Sequence, residues 1–248
     1  MKKFSPELFN GIIGWQKTSF IDYPRTVSTV LFFSGCNLRC PYCHNTDLVY
    51  KKYPQIDPQE INAYLLKRKG MIDGIVISGG EPTIHKNLRD MILYVKDLGY
   101  KVKLDTNGLQ PDVLSLVVPH IDYLAIDVKT SPNSYKDKLL AIYDNCDERI
   151  GQSINLADMS KLDFEIRITV AKSIISLKDL DAVGRLIRHV RGTVYLQKLN
   201  KYAQMLNEKF YEEPLSNEEF ELYRNTLLQY VNSCEIRDEV ISNVRNKE

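Results

Sequence analysis

Short apolar runs alternate with amphipathic stretches along this chain, as in proteins whose strands are each followed by a helix. The pattern predicts strands at residues 29–34, 72–78, 100–104, 121–128, 164–170 and 193–197. It predicts helices at residues 57–70, 87–98, 111–118, 133–143, 176–190 and 217–233, with an irregular polar stretch at residues 144–159. Six strand and helix pairs favour a parallel sheet, because parallel strands need long crossover connections. The alternation alone does not distinguish a barrel from an open sheet.

Polar and glycine residues follow one strand after another at its carboxyl end. The strings are SGCNLRCPYCHN after the first predicted strand, SGGEP after the second, DTNG after the third and DVK at the fourth. In parallel α/β folds, the carboxyl edge of the sheet is where ligands bind. The sequence therefore predicts one convergent site at this edge.

The composition indicates a folded globular protein and does not point to a nucleic acid or a membrane as a binding partner. Hydrophobic residues make up 44% of the 248 residues and charged residues 26%, which is ordinary for a folded globular chain. The net charge of +1 gives no general electrostatic reason to bind nucleic acid or a membrane surface. No apolar run approaches the roughly 20 residues of a membrane helix, and no signal peptide is evident at the start. We expect a single domain over residues 1–248, located in the cytoplasm.

Three of the five cysteines lie within eight residues, with the spacing Cys-x3-Cys-x2-Cys. Thiolates at Cys36, Cys40 and Cys43 would suit zinc or an iron–sulfur cluster, and a four-iron cluster with three ligands keeps one iron open to a small molecule. A structural zinc site with Cys146 or Cys234 as fourth ligand is the alternative. Otherwise those two distant cysteines are expected to be small buried hydrophobic residues.

The string CNLRCPYC resembles the CxxxCxxC signature of the radical S-adenosylmethionine (SAM) superfamily, and GGEP, DTNG and DVK follow it in that family's order. The region from WQKTSFIDYP to CHN is similar to the activating proteins of anaerobic ribonucleoside-triphosphate reductase, a glycyl-radical enzyme. No eight-cysteine ferredoxin-like insertion precedes GGEP, unlike in several other glycyl-radical activases. The resemblance covers most of the chain and implies an α/β fold, a partial, open (β/α)6 TIM-like barrel of the radical SAM type.

The resemblance also implies roles for individual residues. The three clustered cysteines would bind a [4Fe-4S] cluster whose fourth iron is chelated by SAM. Tyr42 is similar to an aromatic position that packs near the adenine. Gly79, Gly80 and Glu81 resemble the motif for the methionine ammonium, where glycines allow close approach and a carboxylate accepts hydrogen bonds.

Asp105, Thr106 and Asp127 resemble positions that, in the glycyl-radical activase branch, surround a monovalent cation beside the methionine carboxylate. Carboxylates converging near another anion would repel one another without a cation among them. We therefore expect a bound sodium or potassium ion at this position.

Three further polar residues resemble family positions around SAM. Lys129 would reach the carboxylate or ribose, Arg167 the methionine carboxylate, and Gln197 the ribose. An arginine inside the apolar run FEIRITV requires a partner if it faces the interior of a barrel. Arg25, by contrast, stands where a glycine is expected in the amino-terminal segment, which leaves the geometry of that turn open.

The implied activity is reductive cleavage of SAM, with an electron supplied by flavodoxin or ferredoxin. The resulting 5′-deoxyadenosyl radical would remove a glycine hydrogen from a partner reductase. A different glycyl-radical enzyme, a peptide or a small molecule is the alternative substrate. A non-catalytic zinc-binding or electron-transfer module is the alternative outside the radical enzymes.

Overall fold

A single eight-stranded sheet runs through the computed structural model, which describes residues 3–200, 204–213 and 215–237. Its strands, in spatial as well as chain order, are β1 (Ile12–Ser19), β2 (Ser28–Phe33), β3 (Gly74–Gly79), β4 (Lys101–Thr106), β5 (Tyr123–Asp127), β6 (Asp163–Val170), β7 (Thr193–Lys198) and β8 (Cys234–Arg237). The first pair is antiparallel and all the others are parallel. The sheet does not close, because β1 and β8 remain its two edges. The predicted open α/β barrel is confirmed, and the six predicted strands are β2 to β7.

Helices connect the parallel strands as the crossover argument requires. They are α1 (Thr46–Val49), α2 (Pro58–Lys67), α3 (Leu88–Asp97), α4 (Pro111–Val117), α5 (Tyr135–Leu139), α6 (Cys146–Met159), α7 (Leu177–Leu186) and α8 (Asn217–Leu227). Short 3-10 turns, among them Pro82–Ile84, complete the connections. At the start of α7, Ser176 and Asp179 form a reciprocal capping box.

The prediction of an irregular stretch at residues 144–159 is wrong, because α6 occupies most of it. Glycine, serine, asparagine and aspartate lower the helix propensity of this segment. One face is nevertheless buried at Cys146, Ile150, Ile154 and Ala157, which repeat at helical spacing. Burial of that face outweighs the poor local propensity. The neighbouring prediction at residues 133–143 is too long, since α5 ends at Leu139 and the next residue, Leu140, has a left-handed φ of 49°.

Two edge strands were not anticipated from the sequence. Strand β1 pairs with β2 in a register interrupted by irregularities, and it contains a glycine at position 14. Strand β8 has only four residues. The sequence pattern extends the preceding helix to residue 233, directly before β8, whereas the helix ends at Leu227. Short or irregular edge strands lack the long apolar run that identifies a central strand.

The central strands form the core of the molecule and fix the position of their carboxyl ends. All six residues of β2 are buried, as are the first four of β3. The registers of β2 with β3, and of β3 with β4, align the strand ends so that the polar strings after them meet at one edge. Within the described residues, no helix is long and apolar enough to cross a membrane.

Candidate functional site

One cavity of about 840 Å³ opens among the inward faces and carboxyl ends of the strands. It brings together every candidate residue named from the sequence: Cys36, Cys40, Tyr42, Cys43, Gly79, Gly80, Glu81, Asp105, Thr106, Asp127, Lys129, Arg167 and Gln197. This volume lies within the roughly 300–1,000 Å³ usual for ligand pockets. The expectation of one convergent site is therefore met in geometry, while the individual roles stay predictions.

The cysteine loop, residues 36–43, is held by hydrogen bonds around its thiols. The Leu38 amide donates to Cys36 Sγ at 3.4 Å, a contact that stabilises a thiolate when a metal is bound. Arg39 Nη1 donates to the carbonyls of Cys36 and Leu38 at 2.8 and 2.7 Å. Burial raises the pKa of the Cys36 thiol to about 12 and that of Cys40 to about 11. The thiols are therefore neutral until a metal displaces their protons.

A second segment, residues 206–210, fastens the cysteine loop from the other half of the chain. The amide of Leu206 donates to the Cys43 carbonyl at 2.9 Å, and that of Asn207 donates to the Pro41 carbonyl at 3.0 Å. The ring of Phe210 lies 6.2 Å from that of Tyr42. We call this segment the clamp. It fixes the backbone of the loop independently of any ligand.

Tyr42 is almost fully buried, and it lines the cavity. Its hydroxyl has no hydrogen-bond partner among the described residues. A buried hydroxyl without a partner is costly to the fold. Tyr42 therefore contributes to the cavity wall while its hydroxyl oxygen is shielded from solvent, and its role beside the adenine stays a prediction.

The two remaining cysteines lie away from this site. Cys146 begins α6, where its thiol donates to the Tyr143 carbonyl at 3.2 Å, and Cys234 begins β8. Both are buried and neither lines the cavity, in keeping with the expectation of small hydrophobic residues. In the described part of the chain, no three His, Cys, Asp or Glu side chains are grouped to hold a metal ion as they stand.

Gly79 and Gly80 pack so closely on β2 and the cysteine loop that no side chain fits. A Cβ at Gly80 would lie well inside 3.0 Å of the Gly35 carbonyl oxygen, and one at Gly79 would strike the backbone of Phe33. Gly79 also has a φ of +123°, which disfavours other residues. These glycines bring backbone to the cavity wall beside Cys36.

Glu81 is fully buried, and its carboxylate is occupied by internal hydrogen bonds. The amide of Asn107 donates to Oε2 at 2.8 Å, and the Thr106 hydroxyl donates to Oε1 at 2.8 Å. The amide of Thr83 donates to Oε1 at 3.0 Å, and the hydroxyl of Thr83 also donates to it. Burial raises the pKa of this carboxyl, while these donors counteract the rise. Glu81 thus links the ends of β3 and β4.

Charged side chains alternate in sign across the cavity floor. Lys103 Nζ lies 2.5 Å from Asp105 Oδ1, and Arg167 Nη1 lies 3.3 Å from Asp105 Oδ2. Arg167 also forms a fork with Asp127, and Lys129 Nζ lies 3.4 Å from Asp127 Oδ2. Although burial opposes ionisation, Arg167 and then Lys129 lower the pKa of Asp127 to about 2. Arg167 and Lys103 likewise hold the pKa of Asp105 below its usual value.

This network supplies from the protein the charge balance for which a cation was expected. Asp105 and Asp127 each have a cationic partner, and the Thr106 hydroxyl bonds to Glu81. The electrostatic reason for a sodium or potassium ion is weaker than the sequence suggested, and the ion itself stays a prediction.

Lys103 and the pair Glu165–Arg237 also line the cavity, and the sequence analysis missed them. The Lys103 side chain is only 3% exposed, and Arg237 Nη2 lies 3.1 Å from Glu165 Oε2. A signal was present for two of them, because side chains two apart on a strand share a face. Lys103 shares its face with Asp105, and Glu165 shares its face with Arg167.

The residues fit a thiolate-bound cluster and a ligand with a charged end. Three thiols line one wall of the cavity beside a backbone surface that a Cβ would fill, and an unpartnered hydroxyl lies next to them. Cations and carboxylates of the protein occupy the opposite floor. A cluster-binding enzyme working at the carboxyl edge of an open α/β barrel is the class that this arrangement fits.

The chain belongs to the radical SAM superfamily, whose family model matches residues 30–157. A relative from Methanocaldococcus jannaschii, named as a glycyl-radical enzyme activating enzyme, is 34% identical over 188 residues, 73% of this chain and 75% of the relative. The pyruvate formate-lyase-activating enzyme of Clostridium pasteurianum is 27% identical over 192 residues, 70% of this chain and 80% of that enzyme. The protein is therefore a radical SAM enzyme similar to activases, with a [4Fe-4S] cluster and SAM as its cofactors.

Solved structures share the fold at low sequence identity. SuiB of Streptococcus suis, bound to the precursor peptide SuiA, aligns with a TM-score of 0.60 and 12% identity over 84% of this chain. The alignment spans 48% of SuiB, so this chain corresponds to about half of that protein. TYW1 with a lysine–pyruvate adduct aligns with a TM-score of 0.54 and 16% identity over 83% of this chain and 74% of TYW1. At these identities the likeness concerns the fold alone.

Proposed function

We propose that this protein activates anaerobic ribonucleoside-triphosphate reductase by removing a hydrogen atom from a glycine α-carbon of that enzyme. The observation that carries the proposal is a cavity with the candidate SAM site in a sheet that does not close. An open edge lets a segment of another protein reach the interior, which a closed barrel would prevent. Similarity to activating enzymes of glycyl-radical enzymes supports the same class of substrate.

Within this proposal, Cys36, Cys40 and Cys43 would hold the cluster, leaving one iron open for SAM. When bound and reduced, the cluster would supply the one electron needed to cleave a carbon–sulfur bond of SAM. With one hydrogen atom taken from the partner's glycine, the balanced products would be methionine, 5′-deoxyadenosine and a glycyl radical. Flavodoxin or ferredoxin is the proposed electron donor.

The protein's own groups bind and orient SAM. The backbone at Gly79 and Gly80 would approach the methionine end, where a Cβ would intervene. Arg167 and Lys129 would face the methionine carboxylate as fixed cations, and Tyr42 would pack near the adenine. Gln197 would contact the ribose. Fixing the ligand in one orientation limits the radical to the intended hydrogen.

Glu81 is the residue proposed for the methionine ammonium of SAM. Because Glu81 already accepts four internal hydrogen bonds, its role would be to fix the β3 and β4 ends around the methionine ammonium while presenting negative charge nearby. A monovalent cation near Asp105, Thr106 and Asp127 remains part of the proposal. Dependence of SAM cleavage on sodium or potassium would distinguish it from the protein's own ion pairs.

The test is electron paramagnetic resonance of the anaerobically reconstituted protein with SAM, a reductant and the reductase from the same organism. A glycyl-type doublet, together with formation of 5′-deoxyadenosine, is the expected result. A Cys40→Ala variant should give neither product. If 5′-deoxyadenosine forms but no doublet appears on a reductase that a known activase can activate, the substrate is another glycyl-radical enzyme, a peptide or a small molecule. Zinc in place of iron, with no SAM cleavage, would favour a non-catalytic module.

A further inference from the structure

A second cavity of about 640 Å³ lies outside the main one, against the cysteine loop. Of the described residues that line it, Cys36 alone also lines the main cavity. We call this second cavity the outer groove. A protein bound in the outer groove would contact the cysteine loop without entering the main cavity, where the substrate hydrogen must be presented.

The surface of the outer groove is apolar and unusually exposed. Leu140 is 63% exposed, Ile142 69% and Ile84 37%, and all three line it. Leu140 also has left-handed backbone, with a φ of 49°, a conformation that non-glycine residues rarely adopt. A strained backbone that presents an apolar side chain to solvent is typical of functional surfaces.

The charges of the outer groove have one sign. Arg39 and Lys86 line it, and no carboxylate does among the described residues. The guanidinium of Arg149 adds a third cation, 4.3 Å from the ring centre of the lining residue Tyr143. Asp144, the next residue in the chain, is paired with Lys136. The outer groove therefore complements an acidic surface.

The outer groove is also connected to the cysteine loop by backbone hydrogen bonds. The Arg39 amide donates to the Leu139 carbonyl at 2.8 Å, which joins the loop to the segment that exposes Leu140. The guanidinium of Arg39 bonds to the Cys36 carbonyl. A protein bound here would lie directly against the cysteine loop. This position favours electron transfer, because transfer is fastest over the shortest distance.

We propose that the outer groove is the docking surface of an acidic one-electron carrier protein. This inference rests on the proposed function, because only a reduced cluster needs such a partner. A small apolar patch with a cationic rim suits the limited, transient interfaces of electron-transfer proteins. A glycyl-radical enzyme must deliver its glycine into the main cavity, which the outer groove does not reach.

The test compares two reductants on the same reconstituted enzyme. The variant is Lys86→Glu/Ile142→Glu, and the control is Met159→Glu/Lys161→Glu, which makes the same charge change at neighbouring positions at and just after the carboxyl end of α6. With reduced flavodoxin, the groove variant should form 5′-deoxyadenosine at least about 10-fold more slowly than wild type or control. With dithionite, which needs no docking surface, all three should react alike. Added salt should slow the flavodoxin reaction of wild type.

Each other outcome has a definite meaning. Equal flavodoxin rates in the groove variant and the control would overturn the proposal. Loss of glycyl-radical formation with dithionite, while the flavodoxin-dependent cleavage stays normal, would assign the outer groove to the substrate enzyme and also overturn it. If the double variant loses iron, the single Lys86→Glu change, at an exposed side chain, carries the same comparison. Failure of wild type to cleave SAM with dithionite would contradict the proposed function instead.

Discussion

Arg167 forms a two-point ion pair with Asp127 on the neighbouring strand, with Nε 2.7 Å from Oδ1 and Nη2 3.1 Å from Oδ2. The parallel register places the two residues directly opposite each other. The remaining Nη1 lies 3.3 Å from Asp105 Oδ2, so one guanidinium contacts two carboxylates. Only the planar fork of arginine makes this set of contacts.

Removal of that guanidinium should destabilise the fold strongly. Arg167→Met would leave Asp105 and Asp127 with less compensation in a buried site, and we expect a loss of about 3–5 kcal/mol in the free energy of unfolding. Arg185→Met, which breaks an exposed pair with Asp181, is the control and should change stability by less than about 1 kcal/mol. Urea unfolding of the metal-free proteins measures both. Equal losses would contradict the role given to Arg167.

The same pair should make stability fall in acid. The pKa of Asp127 is about 2 in the folded protein, and that of an aspartate in an unfolded chain is about 3.9, so protons bind the unfolded chain first. The contribution of ionised Asp127 to the free energy of unfolding is therefore fully present above about pH 5 and is lost as the pH falls towards 2. We expect the stability difference between wild type and Asp127→Asn to narrow by about 2 kcal/mol across that range. Parallel curves of unfolding free energy against pH would show that the pKa is not lowered.

Gly80→Ala should disrupt the contact between the GGEP turn and the cysteine loop. Its Cβ would collide with the Gly35 carbonyl, a rigid backbone group, so we expect a loss of more than about 2 kcal/mol and reduced iron content after reconstitution. Gly151→Ala is the matched change inside α6, where the nearest atom would lie at 3.5 Å. It should raise stability by about 0.5–1 kcal/mol. A Gly80→Ala protein with normal iron content and stability would refute the close approach.

Glu81→Gln separates two roles of this side chain. The glutamine amide nitrogen would face a hydrogen-bond donor such as the Asn107 amide, which now donates to the carboxylate. We therefore expect a loss of about 1–3 kcal/mol in the free energy of unfolding. Glu60→Gln on the exposed face of α2 should change it by less than about 0.5 kcal/mol. SAM affinity, measured on the reconstituted proteins, completes the test. Weaker SAM binding with unchanged stability would mean that the carboxylate serves the ligand and not the loops.

The sequence was sufficient to predict that these residues converge in one cavity, because chemistry-bearing residues follow the central strands. Long apolar runs locate β2 to β7, and a parallel sheet places their carboxyl ends together, which gathers Cys36, Gly80, Asp105 and Asp127 into one cavity. At Arg25 the structure answers a question of turn geometry that the sequence left open. Its φ of 56° shows that the turn needs left-handed backbone, which explains why a glycine was expected there.

What the sequence did not give depends on contacts between distant segments. Helix α6 is stabilised by burial of one face, and local propensity gave no indication of it. The partners of Asp105 come from positions 103 and 167, so the ion-pair network is visible only when strands are placed side by side. The outer groove likewise combines the cysteine loop with residues near 84 and 142.

The clamp has a consequence for the order in which the molecule is made. Ribosomes release the three clustered cysteines early, whereas Leu206 and Asn207 emerge only when most of the chain has been synthesised. Until then the carbonyls of Pro41 and Cys43 lack the donors that fix them. A nascent or truncated chain ending before residue 206 thus has the three clustered thiols but not the fastened loop. A finished cluster pocket therefore needs the clamp as well as the cysteine motif.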